Sequence, residues 1–172
     1  MTELFSGTIH VQYGQAYLEF GNQFDGSMED CFRGQSNGLC GAAARGTVFL
    51  VTGLHTGVVG LAIHLFDADP GVDDSWEEIV EVFLTVLDDG AALVEWAGSE
   101  SYPLALPPGT YRGRYQGRDM AAGSELDTNV SDEPVDTYRL DLWPAPAAPD
   151  QVVKQTSEVA AYWHDWAKGL GE

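Results

Sequence analysis

Four histidines, His10, His55, His64 and His164, are the side chains best suited to move protons or bind a metal. They are scattered, and none has a second His, Cys or acid at metal-ligand spacing on a helix. His10 and His64 fall within alternating segments, where either could line a pocket or pair with an acid from a neighbouring strand. Asp67-Ala-Asp69-Pro-Gly71-Val-Asp73-Asp74 has the acid density of a calcium loop. Such a loop needs oxygen ligands at positions 1, 3 and 5 and Gly at 6. Here Gly71 stands at position 5 and Val72 at 6, so a solvated acidic turn is the better reading. Cys31 and Cys40 are the only cysteines, and no His lies between them. They read as small buried thiols, with neither a disulfide nor a metal expected. There is no nucleophile elbow and no phosphate-cradling glycine loop, and no cofactor is expected. Arg112, Arg114, Arg118 and Arg139 could form a small anion site. Pairing of these arginines with Asp141 and the loop acids across strands is the simpler expectation.

Charge is the most unusual property of the chain. Its 172 residues carry 27 Asp and Glu against 8 Lys and Arg, a net charge of −19. Phosphate binding needs basic patches, so direct contact with nucleic acid is not expected, nor is attraction to an anionic membrane. Between Arg45 and Arg112 there is no Lys or Arg at all, while acids recur from Asp67 to Glu100. A surface of one sign steers a partner of the other. Solubility, or an acidic bias of the whole organism, would account for the same numbers.

The elements that must carry these residues read mostly as strands. Residues 5–13 and 16–20 alternate, with Ile9, Val11, Ala16, Leu18 and Phe20 inward and Gly14 marking a bulge or tight turn. Residues 21–26 form a loop. Ser27 with Asp30 signals a short helix over 28–33, stopped by Gly34. Apolar or alternating strands follow at 47–52, 58–66, 76–87 and 91–97. Asp88-Asp89-Gly90 supplies hairpin chemistry between the last two. The small residues Val58, Gly60 and Ala62 on one face suggest close packing there, as by a helix. Residues 101–106 are extended and lead into the Pro107-Pro108-Gly109 turn. Strands at 110–116 and 137–143 flank an acidic loop and should pair antiparallel. One face would hold Tyr111, Tyr115, Tyr138, Leu140 and Leu142, the other Arg112, Arg114, Arg139 and Asp141. Residues 144–149 are a Pro/Ala connector. Asp150 should then cap an amphipathic helix over 150–168, with Val152, Thr156, Val159, Trp163, Trp166 and Leu170 as its apolar stripe. That stripe suits docking on the sandwich or binding a partner. No basic leader and no apolar run long enough to span a bilayer are visible, so the cytoplasm is the expected location. The expectation is one mainly β domain over 1–172, an antiparallel β-sandwich over 5–143 with a C-terminal helix.

The order of these motifs resembles a known family. Ala42-Ala43-Ala44-Arg45-Gly46 leads into an apolar strand. A Trp-Glu-Glu strand, the Asp-Asp-Gly turn, the run from Leu104 to Tyr111 and the run from Asp136 to Leu142 follow. Over roughly residues 8 to 143 this resembles the competence protein J (ComJ) group of small bacterial β-sandwich proteins. It is similar also to actinobacterial proteins that share the Leu142-Trp-Pro-Ala-Pro ending and the terminal helix. The connector, the helix and the longer loop at 67–74 depart from the ComJ pattern. The resemblance implies a non-catalytic inhibitor, since ComJ binds and restrains a DNA nuclease. It carries over no inhibitory residue. The charge agrees independently, because a nuclease cleft is basic and an acidic face can fill it. The expected contact residues on a basic partner are then Asp69, Asp73, Asp74, Glu77 and Glu81. Two other readings stay open: a small-ligand-binding protein with a pocket near His10, His64 or the arginine strands, and an enzyme of unrecognised type. The sequence sets no oligomeric state.

Overall fold

The computed structural model describes residues 1–21 and 26–171. Most of the loop expected at 21–26 therefore lies outside the described residues. Among these residues, eleven strands form two sheets, with three short α-helices around them. The strands are β1 (Thr2–Val11), β2 (Gln15–Phe20), β3 (Cys40–Gly41), β4 (Thr47–Val51), β5 (Gly57–Leu65) and β6 (Glu78–Val86), followed by β7 (Ala91–Glu95), β8 (Ser101–Pro103), β9 (Gly109–Arg118), β10 (Thr137–Pro144) and β11 (Gln151–Lys154). The helices are α1 (Met28–Phe32), α2 (Met120–Leu126) and α3 (Glu158–Gly169). The first sheet runs β1-β5-β10-β9-β6-β11 and the second β3-β4-β2-β7-β8.

Alternation decides which side chains meet between the sheets. Ile9, Val11, Val59, Ile63, Val80, Val82, Tyr115 and Leu140 come from the first sheet; Ala16, Leu18, Leu50 and Leu93 come from the second. All are buried in one apolar cluster. The expected β9–β10 antiparallel pair is present, and Tyr115 stacks on Tyr138 inside it at 5.5 Å. The helix over 28–33 forms as α1 and begins with the reciprocal Ser27–Asp30 capping box.

The structure differs from the sequence expectation at several places. The β5–β10 pair is parallel, so the first sheet is mixed rather than purely antiparallel. The turn at 88–90 does not close a hairpin. It crosses from β6 in one sheet to β7 in the other, and β7 pairs with β2. Turn chemistry specifies a reversal, not the sheet that receives the next strand. No helix covers the small face of β5. A Cβ on Gly60 would lie 2.9 Å from Thr137 Cγ2, so the start of β10 fills that space. The acidic segment before β10 also contains α2, whose Gly-Ser pair hides its helical period.

The C-terminal helix begins later than expected. Residues 151–154 form β11 on the edge of β6, and Ser157, not Asp150, caps α3. Asp150 instead accepts the backbone N–H groups of Ser36 and Asn37. The buried seam of α3 is Ala160, His164 and Ala167; Val159, Trp163, Trp166 and Leu170 flank it, while Val152 and Thr156 precede the helix. Small residues allow this close approach: a Cβ on Gly38 would sit 1.9 Å from the Trp163 carbonyl oxygen. The helix reaches the second sheet through aromatic edges, Trp166 on Phe32 and Phe32 on Phe49.

Candidate functional site

The outward face of the first sheet carries a row of charges set by strand register. Glu3, His64, Asp141, Arg114 and Glu81 lie opposite one another on β1, β5, β10, β9 and β6. Their signs alternate across the central strands. Asp141, fully buried, accepts from Gln116 Nε2 at 3.0 Å and Arg139 Nε at 3.1 Å, and His64 Nδ1 lies 3.3 Å away. Glu81 takes both neighbouring arginines: Arg112 Nε at 3.0 Å and Arg114 Nε at 2.9 Å. Arg114 is 2 % exposed and stacks at 4.7 Å on the Trp143 ring. Its remaining donors reach outward to the acidic loop.

That loop, residues 67–75, is solvent-exposed along its whole length, as expected, and is also fastened to the sheet. Arg114 Nη1 donates to the Gly71 carbonyl at 2.7 Å, and Nη2 to Asp69 Oδ1 at 3.0 Å. Arg118 holds the Ser75 carbonyl and hydroxyl, and Lys154 Nζ donates to the Asp74 carbonyl at 2.8 Å. Trp76 closes the loop beneath Arg118 and Arg139, 4.3 and 5.2 Å from its ring. Inside the loop, Asp69 accepts from Gly71 N and Asp73 from Ser75 N, two turns characteristic of Asp. Hydrogen bonds from Ser75 hold the Asp73 carboxyl below its ordinary value. The acidic stretch lacks cations of its own; β9, β10 and β11 supply them.

The five acids singled out from sequence therefore do different things. Asp73 and Asp74 are exposed, as is Asp67, which sequence reasoning left out. Asp69 is exposed but bound to Arg114. Glu77 is half-buried and accepts the Asp119 N–H at 2.8 Å. Glu81 is the anchor of the arginines, its side chain 13 % exposed. Arg114 and Arg118 were expected to pair with acids across strands, and Arg114 does so; Lys154, which also holds the loop, was not singled out. The spacing of the arginines gave the outward face but not the strand they would meet. The four arginines are matched with acids, rings or carbonyls, which is the structural pairing rather than an anion site. Among the described residues the exposed cations are Arg33, Arg45 and Lys168.

Among the described residues the larger hollows lie elsewhere, and His10 and His64 line none of them. One, of about 670 Å³, opens on the outer face of the second sheet beside Tyr17, Glu19, Phe49 and Trp96. Burial pushes the Tyr17 hydroxyl up to about 12, and that hydroxyl donates to Gln15. Another, of about 420 Å³, lies between the turn after β1 and the two later helices. Cys31 and Cys40 are buried free thiols, and burial pushes Cys31 up to about 12. No helix among the described residues is long and apolar enough to cross a membrane.

The architecture defines a two-sheet β-sandwich with a clamped acidic loop and a C-terminal helix. No protein-family model and no curated protein sequence matches the chain. Among solved structures the fold is that of ComJ, the inhibitor of the DNA-degrading activity of NucA from Bacillus subtilis. The TM-score is 0.54 at 18 % identity, covering 84 % of this chain and 98 % of ComJ. A second structure, crocagin biosynthetic gene J, aligns at 13 % identity with a TM-score of 0.49 over 85 % of this chain and 100 % of its own.

Proposed function

We propose that this protein is a non-catalytic, cytoplasmic protein-binding module that restrains a nuclease through the acidic loop at 67–75. One observation carries the reading. The loop backbone is held by Arg114, Arg118 and Lys154, while Asp67, Asp73 and Asp74 stay exposed. A surface already ordered loses little conformational freedom on binding. Its carboxylates match the cations of a phosphate-binding cleft and compete there with DNA. The fold shared with ComJ, whose partner is a nuclease, supports the same reading. Asp73, Asp74 and Glu77 make the encounter, and Asp69 and Glu81 keep the loop in shape.

The test is capture of partners from native lysate at low and high salt, followed by DNA digestion with and without added protein. A basic nuclease retained at low salt and silenced by the protein is the expected result. Asp73→Lys, Asp74→Lys and Glu77→Lys together should slow association roughly tenfold or more at low salt, and less at high salt. Unchanged binding by that triple variant at every salt would remove the loop from the interface. A second reading, small-ligand binding, rests on the hollow beside Tyr17, whose volume of about 670 Å³ suits a small molecule. A thermal-shift screen with small molecules addresses it.

A further inference from the structure

The 420 Å³ groove brings together aromatic rings, two carboxylates and two strained backbone positions. Its walls are Tyr13 and His55 on one side and Tyr162 and Trp163 on the other. Tyr13 and Tyr162 are 54 % and 63 % exposed, unusual for rings of this size. Tyr13 sits edge-on to His55 at 5.1 Å, and Tyr162 meets Trp163 at 5.1 Å and 80°. Asp127, at the end of α2, and Glu158, in the first turn of α3, supply the charge. No Lys or Arg lines the groove.

Two of its residues hold conformations that cost energy. Tyr13 has φ +57 in the two-residue turn joining β1 to β2, where Gln12 bridges Gln15. Asn or Gly suits that position, and a bulky ring there costs roughly 1 kcal/mol or more. Asp127 has φ +64 and ψ −58, with Thr128 N donating to the Leu126 carbonyl at 2.7 Å. This is a γ-turn of the rare, strained, positive-φ form. The Asp127 carbonyl accepts the N–H groups of both His55 and Thr56, which fixes it in place. Strain held by its surroundings points to use of the side chains so displayed.

The chemistry selects the occupant. A neutral apolar group would cover Asp127 and Glu158 without pairing them, at a desolvation cost. An acid would be repelled. A cation gains from the ring faces and from the carboxylates together. Among cations, a guanidinium stacks flat on Tyr and Trp and forks onto a carboxylate. We infer that the groove between Tyr13 and Tyr162 receives an arginine side chain carried on an extended segment of a protein partner. This inference is independent of the acidic loop and requires no nuclease.

The probe is a short alanine-flanked peptide with one arginine, titrated into the whole protein and followed by residue-resolved amide shifts. The control peptide carries citrulline, a neutral isostere of arginine. The arginine peptide should shift resonances of Tyr13, His55, Asp127 and Tyr162, and the citrulline peptide should not. Asp127→Asn and Tyr162→Ala should each weaken binding roughly fivefold. Tyr13→Gly separates binding from folding: it should weaken the peptide while leaving the thermal midpoint unchanged or higher, because the positive φ is relieved. Equal binding of the two peptides would overturn the inference. So would shifts confined to residues 67–75, or none up to about 10 mM peptide.

Discussion

The two outer faces of the sandwich are covered in opposite ways. On the first sheet, Arg114 and Glu81 lie beneath a charged loop with Arg112 and Asp141 on the strands beside them, and nearly every donor has an acceptor. On the second sheet, β4 is buried along its whole length because Phe32 of α1 covers Phe49, and Trp166 of α3 covers Phe32. Both covers exclude water, but by different physics. The aromatic cover is stabilised by burying apolar surface and tolerates imperfect angles. The charged cover works only while every partner is present, since one buried ion left alone is costly.

That contrast can be broken most sharply at its centres. Arg114→Ala should cost about 3–5 kcal/mol, because Glu81 loses one of its two arginines and the loop loses the donors to Gly71 and Asp69. Phe32→Ala should cost about as much, through the cavity it leaves. Urea unfolding reads both, and only Arg114→Ala should also speed amide exchange in residues 67–75. An Arg114 variant as stable as the parent would mean that the charged layer does not hold the loop.

The next effect sharpens the comparison. Glu81→Leu combined with Arg114→Met should recover only part of the loss of Arg114→Ala: the pair is replaced by apolar groups at little cost, but Arg112 loses its carboxylate. Arg112 would still hold the carbonyls of Ala148 and Pro149. No such joint exchange to polar residues should rescue Phe32. A double variant no more stable than Arg114→Ala would show that the pair contributes beyond mutual neutralisation.

The smallest effect concerns Asp136, a buried acid outside both covers. Its Oδ2 accepts Leu54 N and the Tyr138 hydroxyl, while Oδ1 has no partner among the described residues. Burial raises its carboxyl above the ordinary value. The folded chain then holds that proton more tightly than the unfolded one. Its stabilising share is fully present below the unfolded value, about 3.9, and is lost as pH rises through the folded value. The stability of the parent relative to Asp136→Asn should therefore fall as pH rises across the carboxylate range. Unfolding titrations at a series of pH values measure it, and a pH-independent difference would contradict the shift.

The sequence was most legible where information is local. The alternation of Tyr111, Tyr115, Tyr138 and Leu140 and the capping box at Ser27 each depend on residues a few positions apart. The sheet that receives β7, the parallel neighbour of β5 and the cations under residues 67–75 depend on contacts across long stretches of chain. Arg114 meets Asp69 across 45 positions, and nothing near either residue encodes that. Asp150 was misread for a related reason: an Asp before an apolar period caps helices often, but here it binds a loop more than 110 positions earlier. The candidate site was thus visible as a charge density and invisible as a structure.

The strand order also dictates a sequence of events during synthesis. β5 and β6 are consecutive in the chain, yet β10 and β9 stand between them in the sheet. A nascent chain that has not reached residue 109 therefore leaves one edge of β5 and both edges of β6 open, with no way to join the two strands. The β9–β10 pair must enter as a wedge, late, with a parallel contact to β5 that closes a long stretch of chain. Until then those edges are available to any extended segment, which makes the half-made protein far stickier than the finished one.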